Sequence, residues 1–173
     1  KLERTDLDDE TTAVNIVKDC EASAWKILSV NMRQRRRNPY PPFITSTLQQ
    51  EASKKLSFTA RRTMRVAQQL YEGVELGSEG LQGLITYMRT DSTRLSNDAV
   101  GEARDTIAKS FGREYVPKEP IQYRNKKNAQ DAHEAIRPTG LSFSPDSVRS
   151  FLDGDQFRLY DLIWKRFLAC QME

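Results

Sequence analysis

The chain has 173 residues and a formal net charge of +3, with 38% hydrophobic and 29% charged residues. This length fits one domain, or one domain with pieces of another. No run approaches the roughly twenty apolar residues of a membrane helix, so we expect no membrane partner. The polar first residues show no signal peptide, and the chain begins with Lys1. We therefore expect a part of a longer intracellular protein.

The distribution of charge along the chain is more informative about possible binding surfaces than the net charge is. Positive charge concentrates at RQRRR (33–37) and RRTMR (61–65). The first run is expected to be a solvated strand end more than a DNA-facing patch, since charge runs usually are solvated. Cys20 and Cys170 lie far apart without a CxxC partner, so no metal site is expected on them and both are expected to be reduced.

The first predicted elements are a helix and a strand. Residues 8–22 have acidic residues in their first turn and predict a helix. Residues 25–32 alternate loosely, which is typical of a strand. The stretch NPYPPF (38–43) contains three prolines and cannot belong to a regular element, so it marks a domain boundary.

Two helices with a short connection are predicted next. Ser46 with Gln49 resembles a capping box that opens a helix of about ten residues. Thr59 is expected to cap a second helix, over residues 60–72. Such a pair predicts a helix-turn-helix, whose second helix can contact DNA phosphates. Its available arginines are Arg61, Arg62 and Arg65. Tyr40, Phe43 and Phe58 could stack on bases, but we expect the phenylalanines in the core.

The remaining elements are mostly helical. Glycines at 73, 77, 80 and 83 predict a loop or hairpin. Ser96 is expected to cap a helix over 97–111 that Gly112 ends. QDAHEAI (130–136) predicts a short helix stopped by Pro138, Ser144 opens another, and 156–172 has a helical apolar period. The predicted fold class is mainly α with a small β component, or α+β.

The run ITYMRTDSTRLS (85–96) contains most of the candidate catalytic residues. If it is extended, Tyr87, Arg89 and Asp91 project from one face. A phenol is a weak nucleophile at neutral pH, but positive charge nearby favours its ionised form. Arg89 could supply that charge and also bind a phosphate through two hydrogen bonds. Asp91 could orient Arg89 or the single histidine, His133.

The spacing of these residues does not settle their role. Arg137 follows His133 by four residues, which places both on one face if that stretch is helical. Two phosphate-binding groups beside a phenol suit attack on a phosphodiester. Equally, a tyrosine and an arginine on one strand face are common packing neighbours, and a histidine one turn from an arginine is commonly a surface pair. The residues alone leave both interpretations open.

Four stretches resemble one family in the expected order. ITYMRTDSTRLS resembles the active-site signature of type IA DNA topoisomerases and is most similar to the bacterial topoisomerase I branch. The other stretches are NPYPPFITSTLQQEASKKLSFTARRTM (38–64), AQDAHEAIRPT (129–139) and LYDLIWKRFLACQM (159–172).

The resemblance implies a role for each matched residue. Tyr87 matches the nucleophile that forms a 5′-phosphotyrosine ester with DNA and releases a 3′-hydroxyl, so that religation needs no ATP. Arg89 matches the residue that stabilises charge on the scissile phosphate, as phosphoryl transfer requires. Asp91 and His133 match a pair in which the carboxylate orients the imidazole near the DNA backbone. Three further residues are expected to be phosphate or structural neighbours: Ser92, Thr93 and Arg137.

The resemblance also implies an architecture. We expect a winged-helix-like tyrosine domain over residues 41–160, with stubs of a β-rich arch domain at 1–40 and 161–173. Nothing in the chain resembles the acidic, metal-binding amino-terminal domain of the family. We therefore expect no cofactor or metal site in this chain, and Mg²⁺ held by that missing domain in the full-length enzyme.

The expected partner is single-stranded or negatively supercoiled DNA, in the bacterial cytoplasm and associated with the nucleoid. The chain alone is expected to be inactive, because it lacks the metal-binding wall of the site. The alternative function is a non-catalytic helix-turn-helix DNA-binding module in which Tyr87 is a core residue. Exposure of the Tyr87 hydroxyl distinguishes the two, since only the enzyme needs that oxygen accessible.

Overall fold

The computed structural model describes residues 6, 7, 9–33, 38–123 and 133–173. Its contacts divide the chain into two compact units, Lys1–Arg36 and Arg37–Glu173. Within the described residues, helices predominate and one two-stranded sheet is present, which confirms the predicted fold class. In this part of the chain, no helix combines the length and apolar character needed to cross a bilayer.

The described residues of the first unit contain one helix, α1, at Glu10–Ala22. Asp9 caps it by accepting a hydrogen bond from the Thr12 N–H at 2.7 Å, so the predicted helix is confirmed. None of its residues is buried. The strand predicted at 25–32 is wrong: the structure assigns no strand there, and Trp25 is 78% exposed. A strand needs a neighbour for its backbone groups, and the described residues of this unit provide none. Of the RQRRR run, only Arg33 lies within the described residues, and it is exposed.

The second unit begins with a helical pair, α2 at Thr45–Leu56 and α3 at Ala60–Glu72. Thr59 caps α3, as predicted, by accepting a hydrogen bond from the Arg62 N–H at 3.2 Å. The capping box predicted from Ser46 and Gln49 is wrong. The Thr47 hydroxyl instead accepts the Ile44 N–H at 3.0 Å, because α2 starts two residues earlier than a cap at Ser46 implies. That start is fixed by a tertiary contact, in which the Thr45 N–H donates to the Thr90 carbonyl at 2.9 Å.

A hairpin follows α3, as the glycine spacing predicts. Strands β1 at Val74–Glu75 and β2 at Leu81–Gln82 pair antiparallel, with Val74 opposite Gln82. The connection contains a single-turn 3₁₀ helix at Gly77–Glu79. Gly77 and Gly80 have φ of 64° and 65°, a conformation that favours glycine because it lacks a Cβ atom. The turn therefore depends on these two glycines.

In the described part of the second unit, three more α-helices follow: α4 at Asn97–Ser110, α5 at Pro145–Val148 and α6 at Gly154–Ala169. Ser96 and Ser144 cap α4 and α5, as predicted. Short 3₁₀ turns follow α4 and α5, at Arg113–Tyr115 and Arg149–Phe151. The apolar faces of these helices, with α2 and α3, enclose the core.

The core confirms the prediction for the two phenylalanines. Phe43 and Phe58 are 0% and 1% exposed, whereas Tyr40 is 76% exposed with the Arg166 guanidinium 5.2 Å from its ring centre. Helix α6 crosses residues 160 and 161 without interruption inside the second unit. The predicted domain limits at 40/41 and 160/161 stay a prediction.

Candidate active site

We call residues 85–91 the reactive segment, and from Tyr87 onward its positions alternate between exposed and buried. Met88 and Thr90 are 1% and 8% exposed, whereas Tyr87 is 40% exposed, and Arg89 and Asp91 are exposed as well. The alternation predicted from the sequence is confirmed. It does not arise in a regular strand: Ile85 forms an isolated bridge with Pro138, and the residues after it carry no strand assignment.

Hydrogen bonds on the buried side hold the reactive segment in place. The Thr86 hydroxyl donates to the Ala135 carbonyl at 2.7 Å, and the Thr86 N–H donates to the Arg137 carbonyl at 2.9 Å. The Thr45 hydroxyl donates to the Met88 carbonyl at 2.8 Å and accepts the Thr90 N–H at 2.9 Å. The segment is therefore fixed between α2 and residues 135–137.

The exposed side opens on a groove of about 590 Å³. Arg89, Asp91 and His133 line it together with the first turn of α2. The ring of Tyr87 lies beside this groove, with its centre 6.4 Å from that of His133. The structure thus brings together the four residues predicted to be catalytic.

Two positive features at this groove can attract an anion, while the Asp91 carboxylate opposes them. The Arg89 guanidinium faces it, and the amino terminus of α2 adds the positive end of a helix dipole. Within the described residues, no hydrogen bond or ion pair engages the side chains of Arg89 or Asp91. The guanidinium is therefore open to an anionic ligand. No hydrogen bond joins Asp91 to His133 in the same part of the chain, so their expected pairing stays a prediction.

Arg137 is placed differently from Arg89. Its side chain is 13% exposed and forms an ion pair with Glu134 at 2.7 Å. It also donates to the Pro138 carbonyl at 2.8 Å. These contacts hold the chain around His133, and Arg137 is not among the residues lining the groove.

Ser92 and Thr93 lie at the end of the reactive segment. Ser92 is buried, donates its N–H to the Thr90 hydroxyl at 3.1 Å and accepts the Arg94 N–H at 3.2 Å. Thr93 is half-buried. The contacts of Ser92 shape the turn that follows Asp91.

The helix predicted for QDAHEAI is wrong in its described part. Residues 133–136 are not helical, and the Ile136 N–H donates to the Phe43 carbonyl at 2.8 Å. Bridges to Phe43 and Ile85 take up the backbone groups that a helix would use. His133 and Arg137 therefore do not share a helical face. Residues 130–132 lie outside the described residues.

The three arginines of α3 are not equivalent. Arg62 donates to Asp155 at 2.6 and 2.8 Å and lies 4.5 Å from the centre of the Phe58 ring. This hydrogen bond lowers the pKa of the Asp155 carboxyl. The expectation that all three are available for phosphates is wrong for Arg62, while Arg61 and Arg65 are exposed.

The residues of the groove do not fit a magnesium site. Mg²⁺ needs several oxygen ligands in octahedral geometry. Asp91 is the one carboxylate among the groove residues that the structure describes, and no cluster of three or more metal-binding side chains occurs in the described part of the chain. Both cysteines are free thiols, Cys20 half-buried and Cys170 buried.

Two features of the site were missed by the sequence analysis. Tyr71, in α3, packs edge-on against Tyr87 with ring centres 5.3 Å apart. Thr45 anchors the segment although 43 residues separate it from Met88. Only the alternation of Thr86, Met88 and Thr90 hinted that the opposite side of the segment is bonded to the fold.

The whole chain, residues 1–173, matches a family model described as DNA topoisomerase. DNA topoisomerase 1 of Rickettsia felis is 49% identical over 100% of the chain, and that of Xylella fastidiosa is 52% identical over 97%. The chain covers 22% and 21% of these relatives, about a fifth of their length. Full-length topoisomerase I of Thermotoga maritima matches with a TM-score of 0.76 and 43% identity, over 100% of this chain and 27% of that one. Because the family model spans the sequence from end to end, the chain belongs to the type IA DNA topoisomerases, in their bacterial topoisomerase I branch.

Proposed function

We propose that this chain carries the catalytic tyrosine of a type IA topoisomerase. Tyr87 cleaves one strand of DNA, and the break is rejoined after another strand has passed through it, which relaxes negative supercoils. The observation that carries the proposal is the exposed Tyr87 ring beside His133, next to a groove lined by Arg89 and Asp91.

The cleavage step exchanges one phosphoester bond for another. The Tyr87 oxygen attacks the phosphorus, the bond from phosphorus to the 3′-oxygen breaks, and a 5′-phosphotyrosine ester forms. The phenol loses its proton, and the leaving 3′-oxygen gains one to become a hydroxyl. Because the ester conserves the phosphoester bond, the 3′-hydroxyl can reverse the step without ATP.

The groove supplies electrostatic stabilisation for this step. Arg89 binds the non-bridging oxygens of the phosphate, where negative charge lies during the transfer. Its guanidinium has no internal partner among the described residues, so binding breaks no existing ion pair. His133 contacts the DNA backbone beside Tyr87, and Asp91 orients it once DNA fills the groove.

The site is also supported by residues that position its neighbours: Arg137, Ser92 and Thr93. The ion pair of Arg137 with Glu134 fixes the residues that follow His133. The hydrogen bonds of Ser92 fix the turn after Asp91. We propose that contacts of these residues with phosphate are secondary to this positioning role.

The alternative, a helix-turn-helix module without catalysis, is disfavoured by one observation. That function needs Tyr87 packed in the core, whereas it is 40% exposed. Arg61 and Arg65 remain exposed on α3 and can add backbone contacts to DNA.

The full-length enzyme requires more than this chain. We propose that Mg²⁺ binds in an amino-terminal domain, since the residues of this groove do not fit the ion. The enzyme acts on single-stranded regions of negatively supercoiled DNA in the bacterial cytoplasm, at the nucleoid. The 173-residue chain alone should bind DNA weakly and in a salt-sensitive way, without relaxing it, because phosphate contacts give affinity but not chemistry.

The decisive experiment detects the covalent adduct in the full-length protein with Mg²⁺. A single-stranded oligonucleotide labelled at its 3′ end should transfer its label to the protein, and a 5′ label should be released on a fragment ending in a 3′-hydroxyl. Tyr87→Phe should lower adduct formation by at least about a thousandfold, since the nucleophile is removed. Tyr71→Phe is the matched control, as the neighbouring exposed tyrosine, and should keep the adduct. Transfer of a 5′ label instead, or an undiminished adduct in Tyr87→Phe, contradicts the mechanism.

A further inference from the structure

A second groove continues from the candidate active site along α2. We call it the α2 groove. It has a volume of about 410 Å³ and lies between the outer face of α2 and the start of α3. Ser46 lines both this groove and the one containing Arg89, so the two meet at the first turn of α2. The residues of α2 that line it are Ser46, Gln49, Gln50, Ser53 and Lys54.

The spacing of these five residues puts them on one face of the helix. They follow the pattern i, i+3, i+4, i+7 and i+8, which places side chains above one another. Over eight residues, α2 rises about 12 Å. The face is therefore a polar track leading away from the reactive segment, whereas Leu48 and Ala52 on another face are buried in the core.

The chemistry of the α2 groove suits a nucleic-acid backbone. Hydroxyl, amide and ammonium groups are the side chains that contact phosphates and sugars. Among the residues that the structure describes, no acidic side chain lines this groove. Within the described residues, none of the five α2 side chains forms a hydrogen bond or ion pair. The adjacent Lys55 differs, because it pairs with Glu51 at 3.1 Å and faces another surface.

From this geometry we infer that the α2 groove holds the DNA strand on the 3′ side of the break. The inference rests on the proposed function. In the cleavage step, the strand that stays attached to Tyr87 is the one bearing the 5′-phosphate, and its next nucleotides lie on its 3′ side. Thr45 bonds α2 to Met88 and Thr90, so this groove and the reactive segment belong to one fixed body. The attached strand can stay in the groove while the other DNA end moves away.

The test varies the length of DNA on the 3′ side of the break. Oligonucleotides share one 5′ portion and carry from one to about eight nucleotides beyond the cleavage site. Adduct yield of the full-length protein should rise with this length and level off after about two to four nucleotides, the number that a track of about 12 Å accommodates. Binding is measured in parallel in the Tyr87→Phe protein, where no cleavage interferes.

Two neighbouring lysines give matched variants. Lys54→Gln should remove the gain from the longer 3′ portions and lower the salt slope of binding by about 0.7, the value for one contact to single-stranded DNA. Lys55→Gln, with the same charge change one residue away, should behave like the wild type. Ser53→Glu places a carboxylate in the groove and should weaken binding of long 3′ portions by about tenfold. Cleavage of the shortest oligonucleotide should be unchanged in all three variants.

The outcomes separate this inference from the proposed function. Normal adducts whose yield ignores the 3′ length, or equal behaviour of Lys54→Gln and Lys55→Gln, overturn the α2 groove and leave the mechanism standing. If no adduct forms with any protein, the mechanism fails. The binding measurements in the Tyr87→Phe protein then still test the α2 groove. A loss of binding restricted to Lys54→Gln and Ser53→Glu supports the groove, and unchanged binding in both variants rejects it.

Discussion

The reactive segment and the neighbouring residues 133–139 each carry an arginine, and the two arginines are used differently. Arg89 has no internal partner among the described residues and lines the groove. Arg137 is nearly buried, with its guanidinium bonded to Glu134 and to the Pro138 carbonyl. A cation whose hydrogen bonds are filled internally stabilises the fold, whereas one with open donors is available to substrate. Proximity to Tyr87 alone does not distinguish these two functions.

Among the arginines, the largest effect is expected at Arg89. Arg89→Ala should lower the rate of adduct formation by about 10²–10³-fold, because a donor to the phosphate oxygens is lost. The melting temperature should not change, since no internal contact is broken. Arg89→Lys should recover part of the rate, as a lysine keeps the charge without the two-pronged geometry. Single-turnover cleavage measures the rate, and thermal unfolding measures the melting temperature. An Arg89→Ala protein that is active but unstable would show that Arg89 stabilises the fold and does not act on the substrate.

Arg137 should show the opposite pattern. Arg137→Ala leaves Glu134 and the Pro138 carbonyl without their donor, so the free energy of unfolding should fall by about 1–3 kcal/mol. Denaturant unfolding measures this loss. Arg94→Ala, at an exposed position, is the control and should be neutral. If Arg137→Ala keeps its full stability yet cleaves as poorly as Arg89→Ala, the internal role assigned to Arg137 is wrong.

The role of Thr45 in anchoring the reactive segment can be tested by removing the Thr45 hydroxyl. Thr45→Val removes the acceptor of the Thr90 N–H and the donor to Met88, and should cost about 1–2 kcal/mol of unfolding free energy. Thr47→Val removes a hydroxyl that bonds only Ile44 at the start of the same helix, so its cost should be smaller, about 0.5–1 kcal/mol. Equal losses measured by denaturant unfolding would show that α2 does not anchor the segment.

The smallest effects are expected on α3, where an internally bonded arginine and an exposed arginine can again be compared. Arg62 is bonded to Asp155, whereas Arg65 is exposed, so Arg65→Gln should weaken DNA binding slightly and Arg62→Gln should not. Arg62 lowers the pKa of the Asp155 carboxyl below 3.8. The stabilisation by this pair is therefore present above that pH and is lost as the pH falls through the lowered pKa. Arg62→Gln should be slightly less stable than the wild type at neutral pH and equally stable in strong acid. A deficit that persists in acid would assign the loss to the packing of Arg62 on Phe58.

Local patterns predicted most helices and caps. Thr59, Ser96 and Ser144 cap helices, as predicted, because a side-chain oxygen and the N–H groups it accepts lie within a few residues. The predictions failed where a distant contact competes with the local one. The stretch containing His133 reads as a helix, but bridges to Phe43 and Ile85 hold it extended. The start of α2 moved because Thr90 takes the N–H of Thr45.

The sequence by itself determined the alternation of the reactive segment, the family and the identity of the candidate residues, because these depend on residue types and their order. Only the tertiary structure decided which charged groups are free. Whether Arg62 finds an acid depends on a segment far away in the chain, the one carrying Asp155, whereas the acid that Arg137 pairs with, Glu134, is only three residues away. The tertiary structure also showed that Tyr71 adjoins Tyr87 and that the α2 groove meets the active-site groove. Such contacts follow from packing across elements, which local spacing does not encode.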